Sequence, residues 1–163
     1  MMKSKELTFA LALILLIPAF LSGQEIRTIS FNEWKKNVEI AGDTLLIFNF
    51  WATWCKPCIE ELPSFEKANI EFQRNNVKII LVNLDFKSKV ENTVIPFLKK
   101  HEIQSHVWRF TDADPNTWIS QVNNEWSGAI PATAVFRQGK SVFFKEGKIS
   151  EEELFTLIVD NIQ

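Results

Sequence analysis

Cysteine is nearly absent. The 163-residue chain has two, Cys55 and Cys58, and only two histidines, His101 and His106. With no second ligand pair at metal-like spacing, a structural zinc site lacks donors. There is no glycine-rich phosphate loop among the five glycines, and no serine triad. Net charge is scarce as well: 18 basic residues against 20 acidic leave a formal charge of -2, and the basic residues are dispersed. That balance excludes nucleic acid and acidic membrane surfaces as expected partners. Internal repeats, low-complexity tracts and interdomain linkers are missing too, which leaves one domain.

What the chain does have is apolar bulk: 46% hydrophobic residues, with 14 Phe and 6 Trp, ample for a packed core. Its first residues read differently from the rest. Lys3 and Lys5 precede an uncharged, mostly apolar stretch from Leu7 to Leu21, followed by Ser22-Gly23-Gln24. This pattern is that of a secretory signal peptide over residues 1–23, with an uncleaved inner-membrane anchor as the alternative. The stretch is shorter than the roughly 20 residues of a spanning helix, which favours cleavage. Leu21 is a poor match to the small residue expected three positions before a cut after Gly23. No cysteine follows Gly23, so the acylation site of bacterial lipoproteins is missing. Residues 24–163 are then the exported domain.

Periodicity predicts an α/β domain. A short strand over 25–29 is followed by Ser30, which caps a helix from Phe31 to Val38. The near-continuous apolar run from Thr44 to Phe50 suggests a strand buried on both faces. A long helix follows from the cysteines, with Ile59, Leu62, Phe65, Ala68 and Phe72 at intervals of three and four and Pro63 as a kink. Val77 to Leu84 is the next buried strand, and this strand-helix-strand unit implies parallel pairing. A helical pattern over 88–101 is interrupted by Pro96. A short strand over 106–110 and a short helix from Asp114-Pro115 to Val122 come next. The strands 132–136 and 141–144 flank Arg137-Gln138-Gly139-Lys140 as a hairpin. Ser150 to Glu153 is a capping box that starts the last helix, along Leu154, Leu157, Ile158 and Ile162.

The two cysteines stand in Trp54-Cys55-Lys56-Pro57-Cys58, directly after the buried strand. Two intervening residues let one helical turn bring both sulfurs within bonding distance, at a helix N-terminus whose partial positive charge favours a thiolate. In an oxidising compartment such a pair is either a structural bridge or a redox tool. A bridge over so small a loop constrains the unfolded chain little, so dithiol–disulfide exchange is the expected chemistry. Cys55, at the helix start and beside Lys56, is the expected nucleophile, and Cys58 the resolving thiol. Pro57 restricts the turn between them. Trp51 and Trp54 are expected around the sulfurs, with Trp54 on the substrate side.

The run Phe50-Trp51-Ala52-Thr53-Trp54-Cys55-Lys56-Pro57-Cys58 resembles the active-site signature of the thioredoxin superfamily. Pro63, five residues after Cys58, matches the family's helix kink, and Gly128-Ala129-Ile130-Pro131-Ala132 resembles its cis-proline loop. The resemblance implies a thioredoxin fold: a central mixed sheet flanked by helices. The longer segment between Asp85 and Ile130, with its own helix, resembles that of the exported TlpA/ResA-like thiol-disulfide oxidoreductases. It reads as a helical insertion between the central strand-helix-strand unit and the C-terminal hairpin.

By that resemblance Trp54, Lys56, Pro57, Ile130 and Pro131 form the substrate surface, where an extended chain pairs beside a cis Ile130-Pro131 bond. Asn49 occupies the place of thioredoxin's buried Asp and is expected as a hydrogen-bonded amide. Asp85, near the end of the next strand, is the expected proton acceptor for Cys58. Copper-delivery relatives on this fold usually have three residues between the cysteines, so no metal site is expected, and no cofactor.

The function implied is reduction of protein disulfides in the bacterial periplasm by a monomer, with electrons from a membrane donor, in cytochrome c maturation or in keeping envelope thiols reduced. The alternatives are an oxidase or isomerase of envelope disulfides, a Cu or Zn chaperone, and a redox-inert peptide-binding module on the same fold.

Overall fold

Capping chemistry sets the first turn of structure. The Glu33 amide donates to Ser30 Oγ at 3.2 Å and the Ser30 amide donates to Glu33 Oε2 at 2.7 Å, a reciprocal box. Strand β1 (Ile26–Ile29) therefore passes directly into helix α1 (Phe31–Ile40). The helix runs two residues past its expected end at Val38 and stops only before Gly42, whose φ of 58° no helix continues through. The computed structural model describes residues 25–112 and 114–162, and the expected signal peptide of residues 1–23 lies outside them. No helix among the described residues is long and apolar enough to cross a membrane.

Strand β2 (Leu45–Trp51) has all seven residues buried, as its unbroken apolar run predicts. Helix α2 (Lys56–Phe72) crosses over to strand β3 (Val77–Asn83), which pairs parallel to β2 from Leu45↔Val77 to Trp51↔Asn83. Pro63 lies within α2 without ending it, although it cannot donate to the Ile59 carbonyl. The helix expected over 88–101 comes instead in three pieces. A 3-10 turn (Lys87–Lys89) and a π-helical turn (Val90–Val94) precede helix α3 (Ile95–Lys100). The physical reason is Pro96: the widened turn closes with the Ile95 amide donating to the Val90 carbonyl, just before the residue that has no amide.

Strand β4 (His106–Phe110) follows, then a 3-10 turn (Pro115–Thr117) capped by Asp114 and the short helix α4 (Ile119–Val122). The hairpin of β5 (Ala132–Arg137) and β6 (Lys140–Glu146) leads to helix α5 (Glu151–Ile162). Ser150 Oγ caps α5 by accepting from the Glu153 amide at 3.1 Å, while the Glu153 side chain pairs with Lys145.

The six strands form one sheet in the order β1-β4-β3-β2-β5-β6, parallel from β1 to β2 and antiparallel at β5 and β6. The expected mixed sheet is thus present, and the segment after Asp85 contributes a strand as well as helices, since β4 sits between β1 and β3. Alternation along β2 divides the core. Leu45, Ile47 and Trp51 pack with α2, α3 and α5, while Leu46, Phe48 and Phe50 pack with α1, α4 and a dense aromatic group. In that group Phe48 meets Trp34, Trp108 and Phe136 at ring-centroid distances of 5.2, 5.9 and 6.0 Å. Phe48→Ala should therefore cost about 3–5 kcal/mol, read as a fall in the urea midpoint. Ile70→Ala, on the exposed side of α2, should stay within about 0.5 kcal/mol.

Candidate redox site

The two cysteines sit where a buried strand hands over to a helix. Cys55 is the N-cap of α2 in extended backbone conformation, and its Sγ accepts from the Cys58 amide at 3.3 Å. Lys56 and Pro57 are the first two helical residues, both exposed, so Pro57 stands where a missing amide costs nothing. Cys55 and Cys58 are joined as a disulfide; Cys55 is 5% exposed and Cys58 not at all. Any negative charge that develops on the Cys55 sulfur lies on the positive end of a 17-residue helix and accepts a backbone hydrogen bond.

The expected neighbours divide into surface and core. Trp54 is 67% exposed beside Cys55, whereas Trp51 is wholly buried with both cysteines in the core cluster. The Ile130-Pro131 bond is cis, as the family resemblance implies. The antiparallel register Phe50↔Ala132 puts Pro131 at the end of β2 where the cysteine loop begins, and Ile130 packs against the cluster that holds both cysteines. His101 stacks on Phe97 at 4.1 Å, and Phe97 in turn packs against Trp51.

Asp85, just past the end of β3, is held by three hydrogen bonds. Its Oδ2 accepts from the Thr53 amide and from Asn83 Nδ2, both at 2.8 Å, and its Oδ1 accepts from Thr53 Oγ1 at 2.7 Å. These three donors tie the carboxylate to the loop that leads into Cys55. Asn49 is the buried, hydrogen-bonded amide expected, and its partner identifies a residue that sequence reasoning missed. Asn49 Nδ2 donates to Glu61 Oε1 at 2.7 Å, and the Ile149 amide donates to Glu61 Oε2 at 2.9 Å.

Glu61 is 1% exposed and lies three residues after Cys58 on the buried side of α2. At that spacing the two Cβ atoms are about 5–6 Å apart. Burial pushes its carboxyl up from 4.5 to about 7, against the pull of the Ile149 and Asn49 donors and the charges of Lys148 and Lys145. The signal was in the sequence. Cys58, Glu61, Leu62, Phe65, Ala68 and Phe72 share one helical stripe, so a carboxylate at 61 falls among residues that must be buried.

A mixed sheet, a disulfide at the N-terminus of the helix after its central strand, and a cis-proline at the same end define a thioredoxin-fold protein with a dithiol site. Residues 18–143 match the AhpC/TSA family, and the chain belongs to that family. It is 33% identical over 69 residues to thioredoxin-like protein YneN of Bacillus subtilis, a match covering 42% of this chain and 40% of that one. Over 40 residues it is 42% identical to thiol-disulfide oxidoreductase ResA of Oceanobacillus iheyensis, covering 24% and 21%. The chain thus spans less than half the length of these curated relatives.

Among solved structures, a thioredoxin-related protein from Neisseria meningitidis serogroup B superposes with a TM-score of 0.60 at 27% identity, covering 72% of this chain and 84% of that one. A thiol:disulfide interchange protein from Chlorobium tepidum reaches 0.62 at 19% identity, over 76% and 83%, which supports the fold.

The buried carboxyl has a consequence for stability. Glu61 ionises at about 7 in the folded chain and at the usual 4.5 when unfolded, so between these values the folded chain holds more protons. Its contribution is complete below about pH 4.5 and is lost as pH rises through about 7. Glu61→Gln should remove that loss. Urea midpoints at about pH 5 and 8 should then fall less in the variant than in the parent, by a difference worth about 1–3 kcal/mol. Parallel profiles would show that the carboxyl is not desolvated.

Proposed function

We propose that the chain is an exported thiol-disulfide oxidoreductase that reduces protein disulfides. The observation that carries this reading is the pairing of a cysteine sulfur at a helix N-terminus with a buried carboxyl of pKa about 7, one turn beyond Cys58. The Cys55 thiolate attacks a substrate disulfide sulfur, forming a mixed disulfide and expelling one substrate thiolate, which solvent protonates. Glu61, in place of Asp85, takes the proton of Cys58. The Cys58 thiolate then attacks Cys55 Sγ, restoring the Cys55–Cys58 disulfide and releasing the second substrate thiolate.

Glu61 is preferred because it lies on the same helical face as Cys58 and is about half ionised near pH 7. Asp85 is already engaged by two donors of Thr53 and one of Asn83. Trp54, Lys56, Pro57, Ile130 and Pro131 form the surface that an extended substrate lies on. The resolved disulfide must be reduced again, and a membrane electron donor of the envelope supplies the two electrons to a monomer in the periplasm. The signal-like residues 1–23 support export, and names such as thiol-disulfide oxidoreductase among the relatives support the reaction class. Lys56-Pro57 between the cysteines resembles the Gly-Pro of thioredoxin more than the Pro-His of strong oxidants, which supports the reducing direction and a place in cytochrome c maturation or envelope thiol upkeep.

Cys55→Ser should abolish insulin disulfide reduction, and Cys58→Ser should trap the mixed disulfide on non-reducing gels. Glu61→Gln should slow resolution about 100-fold and erase the pH–rate midpoint near 7, while Asp85→Asn should keep that midpoint. If Asp85→Asn moves the midpoint and Glu61→Gln does not, the acceptor roles are reversed. The reduction potential, followed by tryptophan fluorescence in thiol buffers, should lie nearer about -270 than -120 mV; the latter value marks an oxidase.

A further inference from the structure

A cleft of about 730 Å³ opens at the carboxyl ends of β1, β3 and β4, outside the cysteine pair and its carboxyl. Such strand ends are where open α/β sheets place ligands, and the volume is in the usual range of about 300–1,000 Å³. Its apolar wall is Phe86, Phe110 and Trp118, and Phe86 is 79% exposed, an unusual place for a phenylalanine.

Its formal charges balance in number but are not paired with one another. Two carboxylates line it, but both are already engaged: Asp85 by Thr53 and Asn83, and Asp112 by the Phe31 amide at 2.7 Å and Thr111 Oγ1 at 3.3 Å. The two cations, Lys87 and Arg109, form no ion pair among the described residues. Arg109 Nε has no acceptor among the described residues. An incoming carboxylate gives the Arg109 side chain, which lines the cleft, an ion-pair partner.

The cleft is also joined to the reacting loop. Asp85 forms part of its wall and holds the Thr53 amide at 2.8 Å, two residues before Cys55, so chain reach puts this wall within about 10 Å of that residue. We propose that the cleft is a specificity subsite of the redox site and takes an acidic, aromatic-bearing segment flanking the substrate's cysteine. The substrate carboxylate pairs with Arg109 and Lys87, and the aromatic ring lies against Phe86 and Trp118. The proposal rests on the oxidoreductase reading above and extends it to the class of polypeptide that is used.

Binding without redox chemistry separates the two. Fluorescein-labelled, cysteine-free peptides containing Glu-Phe-Glu or Lys-Phe-Lys in a Ser/Gly frame are titrated with the oxidised protein and followed by anisotropy. The acidic peptide should bind about tenfold tighter than the basic one, and 0.5 M salt should remove most of that difference. Arg109→Gln and, separately, the exposed Lys87→Gln should each reduce the preference, the second without disturbing any buried group. Equal binding of the two peptides, or a preference that survives both substitutions, overturns the subsite. Competition by inorganic phosphate as effective as the acidic peptide makes it a small-anion site and also overturns the assignment. The same peptides carrying a disulfide are then exchanged with the reduced protein. A lower KM for the acidic one supports the subsite. Exchange of neither, with the binding preference intact, refutes the oxidoreductase reading and leaves the cleft as a peptide site.

Discussion

β2 has no face left for water. Its seven residues are buried by helices on both sides and by β3 and β5 at both edges, so each side chain is committed by alternation to one half of the core. That commitment makes Asn49 consequential: a polar amide on the α2 side must find partners inside the protein. It finds Glu61, and the pair fixes where α2 lies against the sheet just as β2 ends and the cysteines begin. The same contact that engages Asn49 Nδ2 places a carboxyl one turn from Cys58.

Two acids near the site divide its tasks by environment. Asp85 accepts from backbone and side-chain donors and holds the loop before Cys55. Glu61 lies among apolar side chains with two donors against a large desolvation cost, which leaves it near neutrality where proton exchange with a thiol is efficient. Cys55 caps the N-terminus of α2 and Glu61 lies on the buried face of the same helix, three residues after Cys58.

Much of this was legible in the chain itself, and where it was not the reason is physical. The strand runs, the hairpin and the caps at Ser30 and Ser150 are local patterns, and they agree with the folded elements to within a residue or two. The break before α3 was half legible: Pro96 marked an interruption, but the widened turn that absorbs it depends on how Val94 and Leu98 pack. Asp85 was named through the family resemblance, and its hydrogen bonds to Thr53 became visible only in the fold. Glu61 was readable as an acid on an apolar stripe but was hidden by the isolated look of Glu60-Glu61, one of which is exposed and paired with Lys148.

By itself the sequence determined the cysteine spacing, its position between a buried strand and a helix start, and the α/β order of elements, because each of these rests on contacts a few residues apart. Tertiary structure alone decided what the Glu61 carboxyl meets, since Asn49, Glu61 and Ile149 come from a strand, a helix and a loop distant in sequence. It also decided that Arg109 and Lys87 face a cleft whose carboxylates are already taken. A side chain's charge state and its free valence depend on what is packed around it, and that is set by the sheet order rather than by the order of residues.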